Sequence, residues 1–470
     1  MQSAYDLVVV GSGFAGCMTT LKCVETAKKL GKSPKVLLVE AGIEEERPGA
    51  SRWTQAFLRL DKDLNFDKRW PSIVHKTSRG LADMEYCNKL VEIAGPTAKY
   101  VESLGVELMR IKEDKVALEF DTDGVFVRPH GGGVAIVRTL LKEIGKYPNA
   151  QMVYETVAEK LLTDETGNVN GVRVRTKDGV LHNIRSPNVM LACGGFEANK
   201  EMLTAYIGNN AVDLPLIAPG LKHNKGAGIR MAMEVGAATS GAFDGIHTEL
   251  VDTRSKQPDA VVWGNGYGIL VDENCKRFFN EAHAELFGSF ELAAYHTWKD
   301  CNQKSWFIFD KTTYDFFKPG WVYDTTDLEP EQGATIGELA GKLGLDPHAL
   351  QQTVNEFNTA CDTTTPLNFL KLDGKGTKGI NPPKSNWAQP IISPPFYGYP
   401  LTANLTFTYG GLATNLNAQV LAQNGSVIPG LYAAGEIHGV FYHEYPPASS
   451  VLRSLSFGGV AGEFIARNKT

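Results

Sequence analysis

Leu7-Val8-Val9-Val10-Gly11-Ser12-Gly13-Phe14-Ala15-Gly16 decides the fold, because it sets an apolar run of strand composition against three glycines spaced as G-x-G-x-x-G. A helical pattern follows from Cys17 towards Leu30, and a second apolar run, Val36-Leu37-Leu38-Val39, ends on Glu40 and Ala41. Strand, tight turn, helix and strand in that order make a dinucleotide-binding unit. Gly11 makes the turn, Gly13 lets the backbone approach a pyrophosphate, and Gly16 lets helix and strand pack closely. Phe14 and Ala15 open the helix over the same phosphates, offering unpaired N–H groups and a partial positive charge. Glu40 is placed to accept hydrogen bonds from ribose hydroxyls, and an acid there disfavours a 2′-phosphate. A structural turn that binds nothing is the bland alternative.

Working outward, the polar loop from Ile43 to Thr54 leaves the second strand at the carboxyl end of the sheet, where open α/β sheets bind ligands. Arg47, Ser51 and Arg52 are therefore expected at the dinucleotide, against the alternative of a solvated loop. Residues 82–118 read as helices broken at Gly95-Pro96. Gly131-Gly132-Gly133 precedes an amphipathic helix, Val134 to Ile144, and again allows backbone to approach a ligand closely. Gln151 to Leu162 and Val169 to Val174 form an inserted hairpin region whose Val157 is expected against the cofactor. A buried strand from Asn188 then ends on Ala192-Cys193-Gly194 and returns the chain to the dinucleotide.

Bulk properties narrow the function classes. A chain of 470 residues exceeds one ordinary core, and roughly two or three domain-sized units are expected. A net charge of −6 gives no electrostatic case for nucleic acid. No apolar run of about 18 residues exists to span a bilayer. Seven scattered cysteines, never as C-x-x-C, argue against a disulfide framework or a metal site. A reduced, cytoplasmic protein without a signal segment is expected.

From Ala242 the texture changes, with more aromatics, His247-Thr248-Glu249, and a strand-like Gly268 to Asp272. Two helices follow, Ile336 to Leu343 and Pro347 to Phe357, the second started by Asp346-Pro347. Near the end, Ile428-Pro429-Gly430-Leu431-Tyr432-Ala433-Ala434-Gly435-Glu436 is a second strand that closes on a glycine and an acid, and Ser450 to Arg467 reads as a helix.

Taken together these stretches resemble the succinate dehydrogenase/fumarate reductase flavoprotein family, and look closest to its FAD-dependent tricarballylate dehydrogenase-like members. The matching residues include Glu45-Glu46-Arg47-Pro48-Gly49-Ala50-Ser51-Arg52, Asn224-Lys225-Gly226-Ala227-Gly228, Lys276-Arg277-Phe278, Pro382 to Ala388, Leu405 to Gly411, and Phe441 to Pro446. The resemblance implies an α/β fold: a two-dinucleotide-binding, Rossmann-like FAD domain with an inserted α+β capping domain. Residues 1–240 and 396–470 would hold the FAD and 241–395 would form the cap. Gly435 and Glu436 would lie near the flavin ribitol and pyrophosphate. No histidine stands in Ser51-Arg52-Trp53-Thr54, where succinate dehydrogenases attach flavin covalently, so noncovalent FAD is expected.

The reaction the family implies interconverts a C–C single and double bond beside a carboxylate or carbonyl of a small molecule, with oxygen, a quinone or a partner electron carrier as acceptor. Several family cations are missing. No arginine follows Arg277-Phe278-Phe279-Asn280-Glu281, where Glu285 stands nearby as a substitute proton acceptor. The late carboxylate-binding arginine becomes Tyr445, and a histidine-threonine pair becomes Phe407-Thr408. Thr408, Tyr409 and the spare cation Arg254 are candidates for binding substrate. His247, Tyr442, His443 and Tyr445 are the remaining candidates for proton transfer or carbonyl orientation. Pro446-Pro447-Ala448-Ser449-Ser450 replaces a Pro-Gly-Gly, leaving Ser449, Ser450 and Val451 against the flavin. The lost cations also admit two other readings: an oxidase of a larger, less charged metabolite, and a redox-silent flavoprotein scaffold.

Overall fold

The computed structural model describes residues 1–44, 49–112, 125–284, 286–317 and 325–468. Strands Leu7–Val10 and Val36–Val39 are wholly buried, as expected of apolar runs without alternation that are covered on both faces. They lie parallel, Leu7 opposite Val36 and Val10 opposite Val39. Val189–Leu191 joins the other flank with Leu191 opposite Val10, and Val427–Ala433 follows with Ala433 opposite Leu191. Ala150–Val153 and Gln419–Leu421 take the two edges of this six-stranded sheet, which is parallel except for the last pair. The register has a functional result. Val10, Leu191 and Ala433 end level, so the turns after them, at Gly11, Cys193-Gly194 and Gly435-Glu436, share one edge.

Helix Phe14–Lys29 crosses the terminal helix Ser450–Asn468 through small residues. A Cβ on Gly458 would stand 2.5 Å from the Ala15 carbonyl oxygen, and one on Gly462 would stand 2.3 Å from that of Thr19. Thr19 Oγ1 donates to the Gly458 carbonyl at 2.9 Å. The two ends of the chain are thereby packed together beneath the glycine turns. The hairpin expected after Gln151 is a three-stranded antiparallel sheet, Thr156–Thr163, Val169–Thr176 and Leu181–Arg185.

A second main sheet orders Ile246–Asp252, Phe396–Thr408, Ser305–Asp310 and Ile269–Val271, all antiparallel, with Glu331–Gly333 also on the long strand. Helices Leu286–Asp300, Ile336–Leu343 and Pro347–Ala360 accompany it. Asp346 caps the last of these by accepting from Ala349 N at 2.7 Å, with Pro347 in the first turn. The strand Phe396–Thr408 pairs with this sheet along its whole length, so residue 396, where the chain was expected to return to the cofactor domain, is where that strand begins.

One stretch departs from expectation. Helix Met84–Ser103 runs through Pro96 instead of breaking there. Leu90, Ala94, Ala98 and Val101 bury one face, which outweighs a proline penalty of about 3 kcal/mol. Gly95 serves a close approach, since a Cβ there would stand 2.6 Å from the Leu64 carbonyl oxygen. After it comes a strand, Leu108–Lys112, paired with Val125–Pro129, where helix was expected; residues 113–118 lie outside the described ones. Among the described residues no helix is long and apolar enough to cross a membrane, and no group of His, Cys, Asp and Glu could hold a metal ion.

Candidate active site

The level glycine turns open into a cleft of about 1710 Å³, water-filled mouth included, that reaches to the second sheet. Its near end is built mostly from backbone. Gly11, at φ +102°, turns so tightly that a Cβ would stand 2.3 Å from the Ala192 carbonyl oxygen. Gly13 begins the first helix without a capping side chain of its own, and Phe14 N donates to Ser51 Oγ at 3.2 Å. Gly16 faces away from the cleft, where a Cβ would overlap the Gly11 carbonyl. Glu40 accepts from Ser12 N at 2.9 Å and Gly42 N at 3.0 Å, and Ser12 Oγ adds a third bond at 2.5 Å. With roughly four acceptor sites on a carboxylate, one is left for a ribose hydroxyl.

Of the expected cofactor residues, Gly11, Gly13, Phe14, Ala15, Glu40, Ala41, Ser51, Val157, Ala192, Cys193, Gly194, Gly435, Glu436, Ser450 and Val451 line this cleft. Gly132 and Gly133 press instead on the back of the loop that carries Ser51, a Gly133 Cβ standing 2.1 Å from the Ser51 carbonyl oxygen, while Gly131, at φ +82°, only turns the chain into the helix. Ser449 is buried behind the lining with Oγ bonded to the Pro446 carbonyl, and Arg52 lies over Trp53, 5.3 Å from its ring. Arg47 and Glu285 lie outside the described residues.

Glu436 is held from several sides. Thr408 N donates to its Oε1 at 3.2 Å, while Thr408 Oγ1 accepts from Phe196 N, so Thr408 supports the turn rather than facing the cleft. Burial, and next the Glu436 charge, raise the Glu197 carboxyl well above its ordinary value, which leaves Glu197 a protonated acid behind the turn. Gly195 makes room for this contact, since a Cβ there would stand 2.3 Å from Glu436 Oε1.

The far end is built from side chains. Tyr445 reaches the cleft with its ring clamped edge-on by His247, Phe407 and Phe441 at 4.9, 4.9 and 5.0 Å between centroids. Its hydroxyl oxygen accepts from Ser449 N at 3.2 Å and Ser450 N at 3.1 Å, at the start of the terminal helix. Two backbone donors on one phenol oxygen leave its single proton for a third partner. His247 uses both ring nitrogens, Nδ1 with Glu291 at 2.6 Å and Nε2 with Glu249 at 3.1 Å. Burial opposes its charge, but Glu291 and Glu249 outweigh burial and lift His247 to about 9. His247 is thus a buried imidazolium rather than a free base. Glu291 also receives the Tyr409 hydroxyl and Tyr445 N, so one carboxylate ties His247, Tyr409 and Tyr445 together.

Other candidates stand elsewhere. Arg254 pairs with Asp252 at 2.7 Å and Glu331 at 2.8 Å, away from the cleft lining. His443 is exposed, and Tyr442 packs half-buried against the main core; neither lines the cleft. Sequence reasoning assigned no role to Asp259, Trp263, Phe290, Glu291 or Thr325, nor to Glu249 beside His247. These belong to no motif, although Glu249 stands two residues from His247 on one strand, a spacing that puts both on the same face.

The near end fits an adenine dinucleotide on its own features: a helix start whose first residue is a glycine with no capping side chain, a glycine too close to Ser51 for a side chain, and a buried Arg453 on the lining whose Nε has no hydrogen-bond partner among the described residues. The comparisons agree. The family described as FAD binding domain matches residues 6–451. The chain is 30% identical over 331 residues to 3-oxosteroid 1-dehydrogenase of Mycobacterium tuberculosis, covering 64% of this chain and 57% of that protein. It is 26% identical over 556 residues to 4-oxocyclohexanecarboxylate 2-dehydrogenase of Sinomonas cyclohexanicum, covering 99% and 93%. The open conformation of a flavocytochrome c3 fumarate reductase superposes with a TM-score of 0.76 at 25% identity, covering 99% of this chain and 78% of that one. The chain thus spans little more than half the length of the mycobacterial relative.

Proposed function

Because the chain belongs to the FAD binding domain family of flavoproteins, we propose that it is an FAD-dependent oxidoreductase that removes or adds hydrogen across a C–C bond next to a carbonyl. One observation carries this reading: the Tyr445 hydroxyl, braced by the N–H groups of Ser449 and Ser450, keeps a proton to give at the cleft. A carbonyl oxygen that receives that proton as a hydrogen bond is polarised, and the neighbouring C–H bond becomes acidic. A preorganised donor of this kind is worth roughly a hundredfold to a thousandfold in rate. Bound FAD supplies the two-electron acceptor or donor for the hydride on the next carbon. The chain's own residues hold the substrate: Trp263 and Phe290, stacked at 4.6 Å, and Phe57 wall the far end and exclude water.

The acceptable substrate is a carbonyl compound that carries at most one carboxylate. Glu249 and Asp259 face the far end, and Arg254, the spare cation, is engaged in ion pairs off the lining. A polycarboxylate would bring its charges against these acids. That the two similar dehydrogenases are named for oxo compounds supports the same choice. In this reading residues 1–240 and 396–470 hold the FAD noncovalently, and 241–395 supply the cap. Electrons pass on to oxygen, a quinone or a protein carrier.

The test is anaerobic mixing of the yellow protein with 4-androstene-3,17-dione, 4-oxocyclohexanecarboxylate and tricarballylate, following loss of the oxidised-flavin band. Bleaching by either oxo compound and not by tricarballylate is expected; bleaching by tricarballylate alone would overturn the choice of substrate. Denaturation should release all flavin into the supernatant. The aromatic wall favours a second reading, an oxidase of a larger apolar metabolite, which predicts peroxide formed in proportion to product in air.

A further inference from the structure

The reaction proposed above leaves one participant unassigned, the group that carries the proton of the carbon beside the carbonyl. His247 does not serve, since both its ring nitrogens are taken by carboxylates. Tyr445 acts on the oxygen. Two further titratable side chains line the far end, Glu249 from the strand Ile246–Asp252 and Asp259 from the loop that follows it. We infer that Glu249 and Asp259 form a catalytic pair that holds one proton and exchanges it with the carbon next to the substrate carbonyl.

The pair is held in place from all sides. Glu249 Oε1 is bonded to His247 Nε2 at 3.1 Å, and His247 is anchored in turn by Glu291 on the helix Leu286–Asp300. Asp259 sits in left-handed backbone at φ +60°, a conformation that aspartate tolerates better than most residues. Its N–H donates to the Ile217 carbonyl at 3.1 Å, its own carbonyl receives the Thr325 hydroxyl, and its carboxylate accepts from the Gln55 N–H. Thr325, Trp263 and Phe290 complete the wall around it. His247 is bonded to Glu249 and carries Glu291 on its other nitrogen, while His223, Lys225, Glu436, Tyr445 and Arg453 line the same cleft. Burial, and after it the Glu249 charge, raise the Asp259 carboxyl well above its ordinary value. Asp259 therefore keeps its proton on the same cleft wall as a second acid, Glu249.

The balance closes in both directions. In desaturation the C–H bond beside the carbonyl gives its proton to the ionised member, the next carbon gives hydride to FAD, and a C=C bond forms. In reduction the pair's proton goes to the carbon beside the carbonyl while the reduced flavin gives hydride to the next one. This inference rests on the proposed function, and its test separates the two. Flavin-loaded wild type, Asp259→Asn and Glu249→Gln are compared for the carbonyl-stretch band of a protonated carboxyl in infrared spectra at neutral pH. The same three proteins, with flavin reduced anaerobically by dithionite, are mixed with 2-cyclohexenone and with 4-androstene-3,17-dione, and flavin reoxidation is followed from pH 5 to 9.

A protonated-carboxyl band lost in D259N is expected, together with reoxidation about a hundredfold slower in both variants and little change in half-saturating enone. The fall of rate with rising pH expected of wild type should be absent in D259N. Asparagine accepts the same backbone conformation, so D259N should fold, and E249Q is an independent probe on a different element. Wild-type rate and pH profile retained in D259N would overturn the pair alone. Reduced wild-type flavin that neither enone reoxidises would overturn the functional reading beneath it.

Discussion

The two ends of the cleft are made differently. At the cofactor end the working groups are backbone: glycine turns level with three strand tips, two helix starts and small side chains between them. At the substrate end they are side chains from the second sheet and its loops, joined into one network through Glu291. Backbone geometry is dictated by a few residues close together in sequence, so its tolerance to substitution is low and its signature is strong. A side-chain network depends on register between distant strands, and can be rebuilt for another substrate without disturbing the first end.

Substitutions can break or sharpen that contrast. Gly11→Ala should have the largest effect, because the new Cβ would stand 2.3 Å from the Ala192 carbonyl oxygen in a backbone that disfavours it. A loss of roughly 3–5 kcal/mol and of bound flavin is expected, read by thermal unfolding and by the ratio of flavin to protein absorbance. Tyr445→Phe should keep flavin and fold but slow anaerobic flavin reduction by roughly a hundredfold to a thousandfold, with KM little changed. Loss of flavin in this variant would blur the two ends into one site.

His247→Gln probes the network through pH. Its folded pKa, about 9, lies above the ordinary imidazole value, so its contribution to stability is full below about pH 6.5 and is lost as pH rises through 9. The variant should be less stable than wild type by on the order of 3 kcal/mol at pH 6, with the gap shrinking towards pH 10 in denaturant titrations. Arg254→Gln should matter least. Its pairs with the buried Asp252 and the partly exposed Glu331 are off the cleft, so a loss of roughly 2 kcal/mol in stability but turnover within about twofold of wild type are expected. A large rise in KM for this variant would reinstate it as a substrate ligand.

The near end was legible because Gly11, Gly13 and Glu40 need only local rules to be read, and the level ends of Val10, Leu191 and Ala433 turn three separate sequence signals into one edge. The glycines before Val134 show the limit of such rules. They announce a close approach, but the approach is to the loop carrying Ser51. Pro96 failed as a helix stop because burial of Leu90, Ala94, Ala98 and Val101 decides at that position, and burial is a tertiary property. At the far end Tyr445 and His247 could be singled out, yet their roles turn on Glu249 and Glu291, which carry no pattern of their own, and on the N–H groups of Ser449 and Ser450, residues expected against the flavin and not on a phenol. Asp259 and Phe290 come from parts of the chain that only the folded second sheet with its loop and helix sets against one wall.

The strand Phe396–Thr408 runs 13 residues, roughly 40 Å, from the second sheet to the bond between Thr408 N and Glu436. It behaves mechanically as a stiff rod rather than a tether, with no loop along it to absorb a rotation. Any tilt of the second sheet as substrate enters is therefore transmitted to Glu436, the acid proposed to lie beside the flavin, so the colour of the bound cofactor should report occupancy of the far end before any electron moves.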